Sequence, residues 1–322
     1  MHIPKVSVIM PAYNAERTIT EAVNSVLNQT FSDLELIICD DASTDHTASL
    51  LNSYHEKRLK VIHNEINCGA GVSRDNAIEQ AKGDWIAFID ADDAWTPDRL
   101  EVLLNAVKHS DDMMVFDNIL ECHDTPSGMV PWKPIRGSKP FGIRLHNEIT
   151  YIPFNNFITS RRLLIKPLVP RRFIYSKSIR HGKRPESMEP VEDTDFFLKL
   201  IVHGMGLYYV HRPMYLYRIT PFSAISQTKR HVMMITVLES AHKQFTKHST
   251  EQKALEHKLF LVKRDAEYMA FISILKRKSF GKAFSIVVKA PRIMLKFIQH
   301  ATEDAFYHTH RILHGAQARG QK

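Results

Sequence analysis

Trp85-Ile86-Ala87-Phe88-Ile89-Asp90-Ala91-Asp92-Asp93 is a run of five apolar residues that breaks abruptly into three carboxylates. A short apolar run with a polar end suits a strand buried on both faces, and such strands belong to parallel sheets covered by helices. The same grammar recurs upstream. Val6 to Met10 leads into Pro11-Ala12-Tyr13-Asn14, and Leu34 to Cys39 leads into Asp40-Asp41-Ala42-Ser43-Thr44-Asp45. Leu59 to His63 supplies one more short strand. Between these runs the apolar period changes from strand to helix: Glu16 to Gln29 repeats at Ile19, Ala22, Val23, Val26 and Leu27. Ser43 or Thr44 is the expected N-cap of a second helix, and Ala70 to Ala81 reads as a third. Thr96-Pro97 reads as the N-cap and first residue of a fourth, which buries Leu100, Leu103, Leu104 and Val107. Met113 to Phe116 is the next strand. Alternation of this kind predicts an α/β fold with a mostly parallel sheet flanked by helices, and ligands of such sheets sit beyond the carboxyl ends of the strands.

Those carboxyl ends are rich in aspartate. Residues two apart in an extended segment point the same way, so Asp90 and Asp92 can both face a hard cation, with Asp93 beside them. A divalent ion there, bound by one or two carboxylates and by substrate phosphates, would neutralise a diphosphate leaving group. Gly69-Ala70-Gly71 lacks the third glycine of a dinucleotide fingerprint and follows the third strand, so it reads as a turn opening a helix whose N-terminus favours phosphate. Met10 to Asn14 likewise lacks the glycines that a nicotinamide-dependent oxidoreductase needs after its first strand.

Composition narrows the classes further. The chain has 322 residues and a net charge of +8, but acids outnumber bases by eight through residue 110, whereas bases exceed acids by five from 111 to 220 and by eleven beyond. Phosphate backbones are gripped by Lys and Arg, so an acidic main domain argues against nucleic acid as partner. Three cysteines without metal-ligand spacing fit a reducing, cytoplasmic setting. No signal-peptide pattern and no apolar run of about 18 residues are present, so a spanning helix is not expected.

Val6 to Asn14, Asp40 to Asp45, Asn67 to Gly83 and Phe88 to Asp93 together resemble family 2 glycosyltransferases of the type-A (GT-A) fold, in order and in spacing. The resemblance implies a nucleotide diphosphate-sugar donor, Mg²⁺ or Mn²⁺, and inversion at the anomeric carbon. Carried over by position, it sets Pro11 and Tyr13 against the nucleotide base, Asp41 or its neighbour Asp40 on the uracil or ribose, and Arg74 at the base or phosphates. Asp90 and Ala91 approach the donor, and Asp92, with Asp90 and Asp93, holds the metal. Each role suits its side chain: aromatic faces stack on bases, carboxylates accept from an imide N–H or a ribose hydroxyl, and guanidinium fits phosphate oxygens.

Inversion also needs a base for the acceptor hydroxyl. Glu192-Asp193-Thr194-Asp195-Phe196-Phe197 resembles the family's second acidic motif, at the opening of a helix, and assigns that role to Asp193, expected to have its pKa nudged upward by enclosure and acidic neighbours. Glu192 or Asp195 is expected to cap the helix and complement its dipole. Residues between Glu121 and Glu189, rich in proline and arginine, read as acceptor loops. Tyr208 to Arg218 resembles the closing strand, with Arg218 or His211 as candidates for the diphosphate.

Residues 1–225 are therefore the expected catalytic domain, and 226–322 a basic helical extension with helices at Met233 to Phe245, Glu251 to about Lys276 and Phe280 to Gln299. Tyr268 to Thr302 holds seven Lys or Arg and no acid, a composition suited either to packing on the catalytic domain or to resting on an anionic membrane surface from the cytoplasmic side. The expected activity is transfer of a hexose, glucose from UDP-glucose, onto a glycan or lipid-linked oligosaccharide in bacterial polysaccharide synthesis. A metal-dependent nucleotidyltransferase is the rival, since strand-end carboxylates and a metal serve it equally.

Overall fold

The structure is a computed structural model, and it describes residues 2–108, 110, 112–125, 128–135, 142–146, 149–159, 165–176, 179, 192–219, 227–245 and 249–276. Strands β1 (Val6–Ala12), β2 (Leu34–Asp40), β3 (Leu59–His63) and β4 (Trp85–Phe88) pair in parallel in the order β3-β2-β1-β4. Alternate residues of these strands feed two cores. Val6, Val8 and Met10 pack with α1 (Ile19–Leu27), α2 (Thr47–Asn52) and α4 (Arg99–Ala106) on one face, and Ile9, Ile37 and Phe88 pack with α3 (Ala70–Glu79) on the other. Burial on both faces is why β1, β2 and β4 read as continuous apolar runs.

Past β4 the sheet changes character. β10 (Leu168–Pro170) lies antiparallel between β4 and β6 (Met113–Thr125), and β11 (Gly206–Ile219) continues parallel to β6. The sheet is extended by β9 (Ile149–Tyr151) and β8 (Ile143–His146), while β5 (Ala94–Trp95) pairs with β11 and β7 (Gly128–Pro134) with β6. Helices α5 (Phe154–Thr159), α6 (Arg171–Ser176) and α7 (Glu192–Val202) complete the second layer. The predicted architecture, a mostly parallel sheet flanked by helices, is the observed one.

Several boundaries move. α2 begins at Thr47 rather than after Ser43 or Thr44, because Asp45 Oδ1 accepts from the Thr47 N–H at 2.9 Å. Ser43 and Thr44 instead serve Asn14: Ser43 Oγ accepts from its N–H at 3.0 Å, and the Thr44 N–H donates to its Oδ1 at 2.8 Å. α4 begins at Arg99 with Asp98 in the cap position, and the Thr96 hydroxyl bonds to Asp98. β6 runs for 13 residues, far beyond Phe116.

The extension is helical where described, as α8 (Gln227–His242) and α9 (Thr250–Lys276). Met233, Val237, Leu238, Leu255 and Val262 join the core that holds Ile9 and Phe88, and Phe154 of α5 meets Phe245 at 5.0 Å between ring centroids. The expected helix from Phe280 to Gln299, and the stretch beyond residue 276 of the basic segment, lie outside the described residues. Among the described residues no helix is long and apolar enough to cross a membrane.

Candidate active site

The ends of β1, β2 and β4 meet the start of α3 around a cavity of about 290 Å³. Pro11, Tyr13 and Asn14 form one wall, Asp41, Ala70 and Arg74 another, and Asp90, Ala91 and Asp92 its acidic end. Tyr13 leaves half its surface exposed there, open to a planar ligand. The turn that presents it is unusual in backbone. Asn14 has φ +48° and Ala42, after Asp41, has φ +58°. Asn tolerates this left-handed region, and its amide side chain locks the turn onto Thr44.

Asp41 and Asp40 separate in role. Both Asp41 oxygens receive backbone N–H groups at the start of α3, Oδ1 from Cys68 at 2.9 Å and Oδ2 from Gly69 at 2.8 Å, and Asn64 Nδ2 adds a third bond at 2.7 Å. The N–H groups of Cys68 and Gly69, just ahead of α3, are thus turned onto Asp41, while Gly69 supplies the positive φ of +86° that opens the helix. Asp40 is buried at the end of β2 and pairs with His63 Nδ1 at 3.2 Å; it does not line the cavity.

Asp90, Asp92 and Asp93 each offer an oxygen within 4.8 Å of the others. Asp93 is buried, its Oδ2 accepting from the Tyr215 hydroxyl at 2.7 Å and its Oδ1 from the Arg218 N–H at 2.9 Å. Asp92 is exposed toward the cavity. Desolvation, then the charges of Asp92 and Asp90, push Asp93 well above the usual carboxylate range, and desolvation followed by Asp90 raises Asp92. Carboxylates that raise one another in this way are stabilised by a bound cation, and an all-oxygen set suits a hard divalent ion such as Mg²⁺ or Mn²⁺.

Asp90 behaves differently because two cations reach it. Arg74 Nη2 lies 2.7 Å from Oδ1 and Lys166 Nζ 2.6 Å from Oδ2. Burial alone raises Asp90, but Lys166 and Arg74 more than offset it and hold the carboxyl below its ordinary value. The same two cations hold Asp193, with Arg74 Nη1 2.8 Å from Oδ1 and Lys166 Nζ 2.6 Å from Oδ2. The acidic neighbours expected around Asp193 are thus interleaved with cations. Asp195 bonds Lys199 one turn on, at 2.8 Å, on the helix that it was expected to cap; the Glu192 side chain lies outside the described residues.

Arg218 is committed elsewhere than a diphosphate. Its Nε donates to the Asp92 carbonyl at 2.7 Å and its guanidinium pairs with Glu21 and Asp124, which ties β11 to α1, β6 and the acidic loop. His211 Nε2 meets Thr150 Oγ1 at 2.8 Å on the β9–β11 ladder, away from the cavity wall.

Lys166, Tyr215 and Arg99 carry the site yet escaped the motif reading. Ile165-Lys166-Pro167-Leu168-Val169 does hold a signal, a single lysine inside an apolar run, whose burial demands a carboxylate partner.

Residues 7–166 match the glycosyl transferase family 2. The putative colanic acid biosynthesis glycosyl transferase WcaA of Escherichia coli K12 is 31% identical over 207 residues, 62% of this chain and 67% of that one. The UDP-Glc:alpha-D-GlcNAc-diphosphoundecaprenol beta-1,3-glucosyltransferase WfgD of Escherichia coli is 39% identical over 113 residues, 35% of this chain and 45% of that one. The chain spans about half the length, or less, of the first curated relatives it matches. Among solved structures, S. aureus TarS in complex with UDP-GlcNAc superposes with a TM-score of 0.61 at 22% identity, over 83% of this chain and 72% of that one, a likeness of fold. Strand-end aspartates at the mouth of one cavity, the type-A sheet and a relative matched over two thirds of its length converge on one assignment: the chain belongs to glycosyl transferase family 2.

Proposed function

We propose that the protein is an inverting hexosyltransferase that moves glucose from UDP-glucose onto a glycan or lipid-linked oligosaccharide during bacterial polysaccharide synthesis. One observation carries this reading: the cavity of about 290 Å³ ends in an acidic cluster, and two shared cations join that cluster to a second carboxylate, Asp193. The names of WcaA and WfgD support the polysaccharide setting, and that of WfgD supports the donor and a diphospholipid-linked acceptor. WcaA and WfgD both carry glycosyltransferase names, and no observation favours nucleotidyl transfer.

In this reading Tyr13 stacks on the uracil, with Pro11 and Ala91 shaping the cavity around it. Asp41 has lone-pair capacity left after its three hydrogen bonds and accepts from the uracil or ribose. Arg74 faces the phosphates. Asp92, the exposed member of the cluster, is the principal ligand of Mg²⁺ or Mn²⁺, with Asp90 and Asp93 supporting it. The ion when bound supplies charge neutralisation of the diphosphate as it leaves. Asp193 accepts the proton of the attacking acceptor hydroxyl at a carboxylate oxygen, while Arg74 and Lys166 fix the direction in which that oxygen points. A cytoplasmic protein whose basic segment from Tyr268 onward rests on anionic headgroups would meet such a lipid-linked acceptor at the membrane surface.

The test is binding and turnover across a panel of nucleotide-sugars, with and without Mn²⁺, in wild type, Asp92→Ala and Asp193→Asn. Metal-dependent binding of a UDP-sugar, lost in Asp92→Ala, with Asp193→Asn binding donor but slowed about 10²–10⁴-fold in transfer, is the expected result. Release of pyrophosphate rather than nucleoside diphosphate, or no nucleotide-sugar binding in the presence of metal, would overturn the assignment.

A further inference from the structure

Lys166 occupies a place that a structural ion pair rarely takes. Its side chain is 3% exposed, and its ammonium stands 2.6 Å from both Asp90 Oδ2 and Asp193 Oδ2. Arg74 repeats the bridge on the other oxygens of the same two carboxylates, at 2.7 and 2.8 Å. The result is a closed ring of two anions and two cations, in which each carboxylate oxygen is assigned to one cation. The two cations are not equivalent. Arg74 forms part of the cavity wall and Lys166 does not.

The backbone of Lys166 is held as firmly as its side chain. Arg99 Nη2 donates to the Lys166 carbonyl at 2.5 Å, and Arg99 is itself fully buried against Asp117. On the chain, Lys166 lies between Ile165, which is buried, and Pro167, with β10 beginning at Leu168. An apolar residue would suit this run of chain but would leave Asp90 Oδ2 and Asp193 Oδ2 without their shared cation, and burying an ammonium is costly unless it is paired in this way. Burial alone would lower the lysine's pKa, but Asp193 and Asp90 reverse this and keep the ammonium charged.

We infer that Lys166 is a positioning residue of the transfer reaction: from the segment just before β10 it sets the Asp193 carboxylate at a fixed place relative to the donor-side Asp90, without itself touching the acceptor. This rests on the reading of Asp193 as the base. β4 brings Asp90 and α7 brings Asp193, and among the described residues Lys166 and Arg74 are the side chains that bond to both. When phosphate competes for Arg74 in the cavity, Lys166 is the bridge that remains.

Lys166→Met and Lys166→Arg, each alone and combined with Asp193→Asn, provide the test. Three quantities are read: thermal midpoint of the ligand-free protein, UDP affinity by calorimetry with Mn²⁺, and kcat and KM with UDP-glucose. Lys166→Met is expected to bind UDP within about threefold of wild type yet lose about 10²-fold in kcat, the usual cost of misplacing a reacting group by about 1 Å. In the Asp193→Asn background it should slow transfer no further and lower the midpoint by less than in wild type, because its partner is already neutral. Lys166→Arg keeps the charge but not the single-atom bridge, so it should regain part of the rate.

A wild-type kcat in Lys166→Met overturns the inference, and so does a rate loss matched by an equal loss of UDP affinity or additive with Asp193→Asn. Should Lys166→Met fail to fold, Lys166→Arg decides, with wild-type kcat overturning the inference and a loss in kcat at unchanged UDP affinity supporting it. Should the wild type move no sugar, the glycosyl-transfer reading fails by itself. The midpoint cycle then decides on Lys166 alone: additive losses overturn the bridge and non-additive losses support it.

Discussion

Arg99 and Lys166 are joined through the backbone: the Arg99 guanidinium, fully buried, donates to the Lys166 carbonyl at 2.5 Å while chelating Asp117 at 2.7 to 3.2 Å. The ring of Trp95 lies 4.5 Å from its guanidinium carbon and that of Tyr215 5.3 Å, so the charge is enclosed by faces that attract it. Removing the guanidinium leaves Asp117 charged and buried. Arg99→Met is expected to cost about 3–5 kcal/mol, the range for breaking a buried pair on one side, read from equilibrium urea unfolding.

Tyr215 links β11 to the acidic loop at two points, donating to Asp93 Oδ2 at 2.7 Å and accepting from the Asp90 N–H at 3.2 Å. Tyr215→Phe keeps the ring but leaves a buried carboxylate oxygen and an N–H without that partner. A loss of about 1–3 kcal/mol in unfolding free energy is expected, and metal affinity measured by titration should weaken with it.

Ala42 holds φ +58° immediately after Asp41, a conformation that costs an L-residue about 1–2 kcal/mol and glycine almost nothing. Ala42→Gly should therefore stabilise the protein, by about 0.5–1 kcal/mol once the greater freedom of unfolded glycine is deducted. A higher thermal midpoint with unchanged nucleotide affinity is the expected observation.

Gly83 is needed for closeness rather than for dihedral freedom. A Cβ there would stand 2.5 Å from Ser7 N and 2.7 Å from Val6 C, both backbone atoms that cannot step aside. Gly83→Ala should push β1 from the turn before β4, lose the 2.8 Å bond from the Gly83 N–H to Ser7 Oγ, and destabilise by about 1–3 kcal/mol in chemical denaturation.

Asp98 gives a pH signature. Burial raises its carboxyl, but hydrogen bonds from Arg212 and Thr96 outweigh that and hold it below its ordinary 3.8. A depressed folded-state pKa means that the unfolded chain binds the proton more readily, so the pair's stabilisation is full above the ordinary value and is lost as pH falls through the folded one. Because Asp98 and Arg212 are both about a third or more exposed, the effect should be only about 0.2–1 kcal/mol. Asp98→Asn should accordingly flatten the acid limb of the thermal midpoint plotted against pH.

What the sequence disclosed divides along physical lines. β1, β2 and β4 announce themselves because burial on both faces writes a local apolar run, and their carboxyl ends were found with Tyr13, Asp41, Arg74, Asp90 and Asp92 on one cavity. Asp40 and Asp41 look alike as neighbours, but only the pleat decides that one turns to His63 and the other to α3. β10 is three residues long and finds its place by pairing with strands some fifty and eighty residues away, which no local period records. Lys166 was hidden with it.

The wedge formed by β10 has a consequence for evolution and for engineering. In chain order the strands that end at the cavity are finished by Phe88, yet the sheet cannot be cut there, since a segment contributed after β6 fills the gap between β4 and β6. A recombinant that exchanges everything after β4 for the corresponding part of another enzyme must import a strand with its own preceding lysine, or forfeit both a sheet neighbour and the bridge to Asp90. Under the proposed function, donor recognition and acceptor chemistry would therefore have to be exchanged together rather than as interchangeable parts.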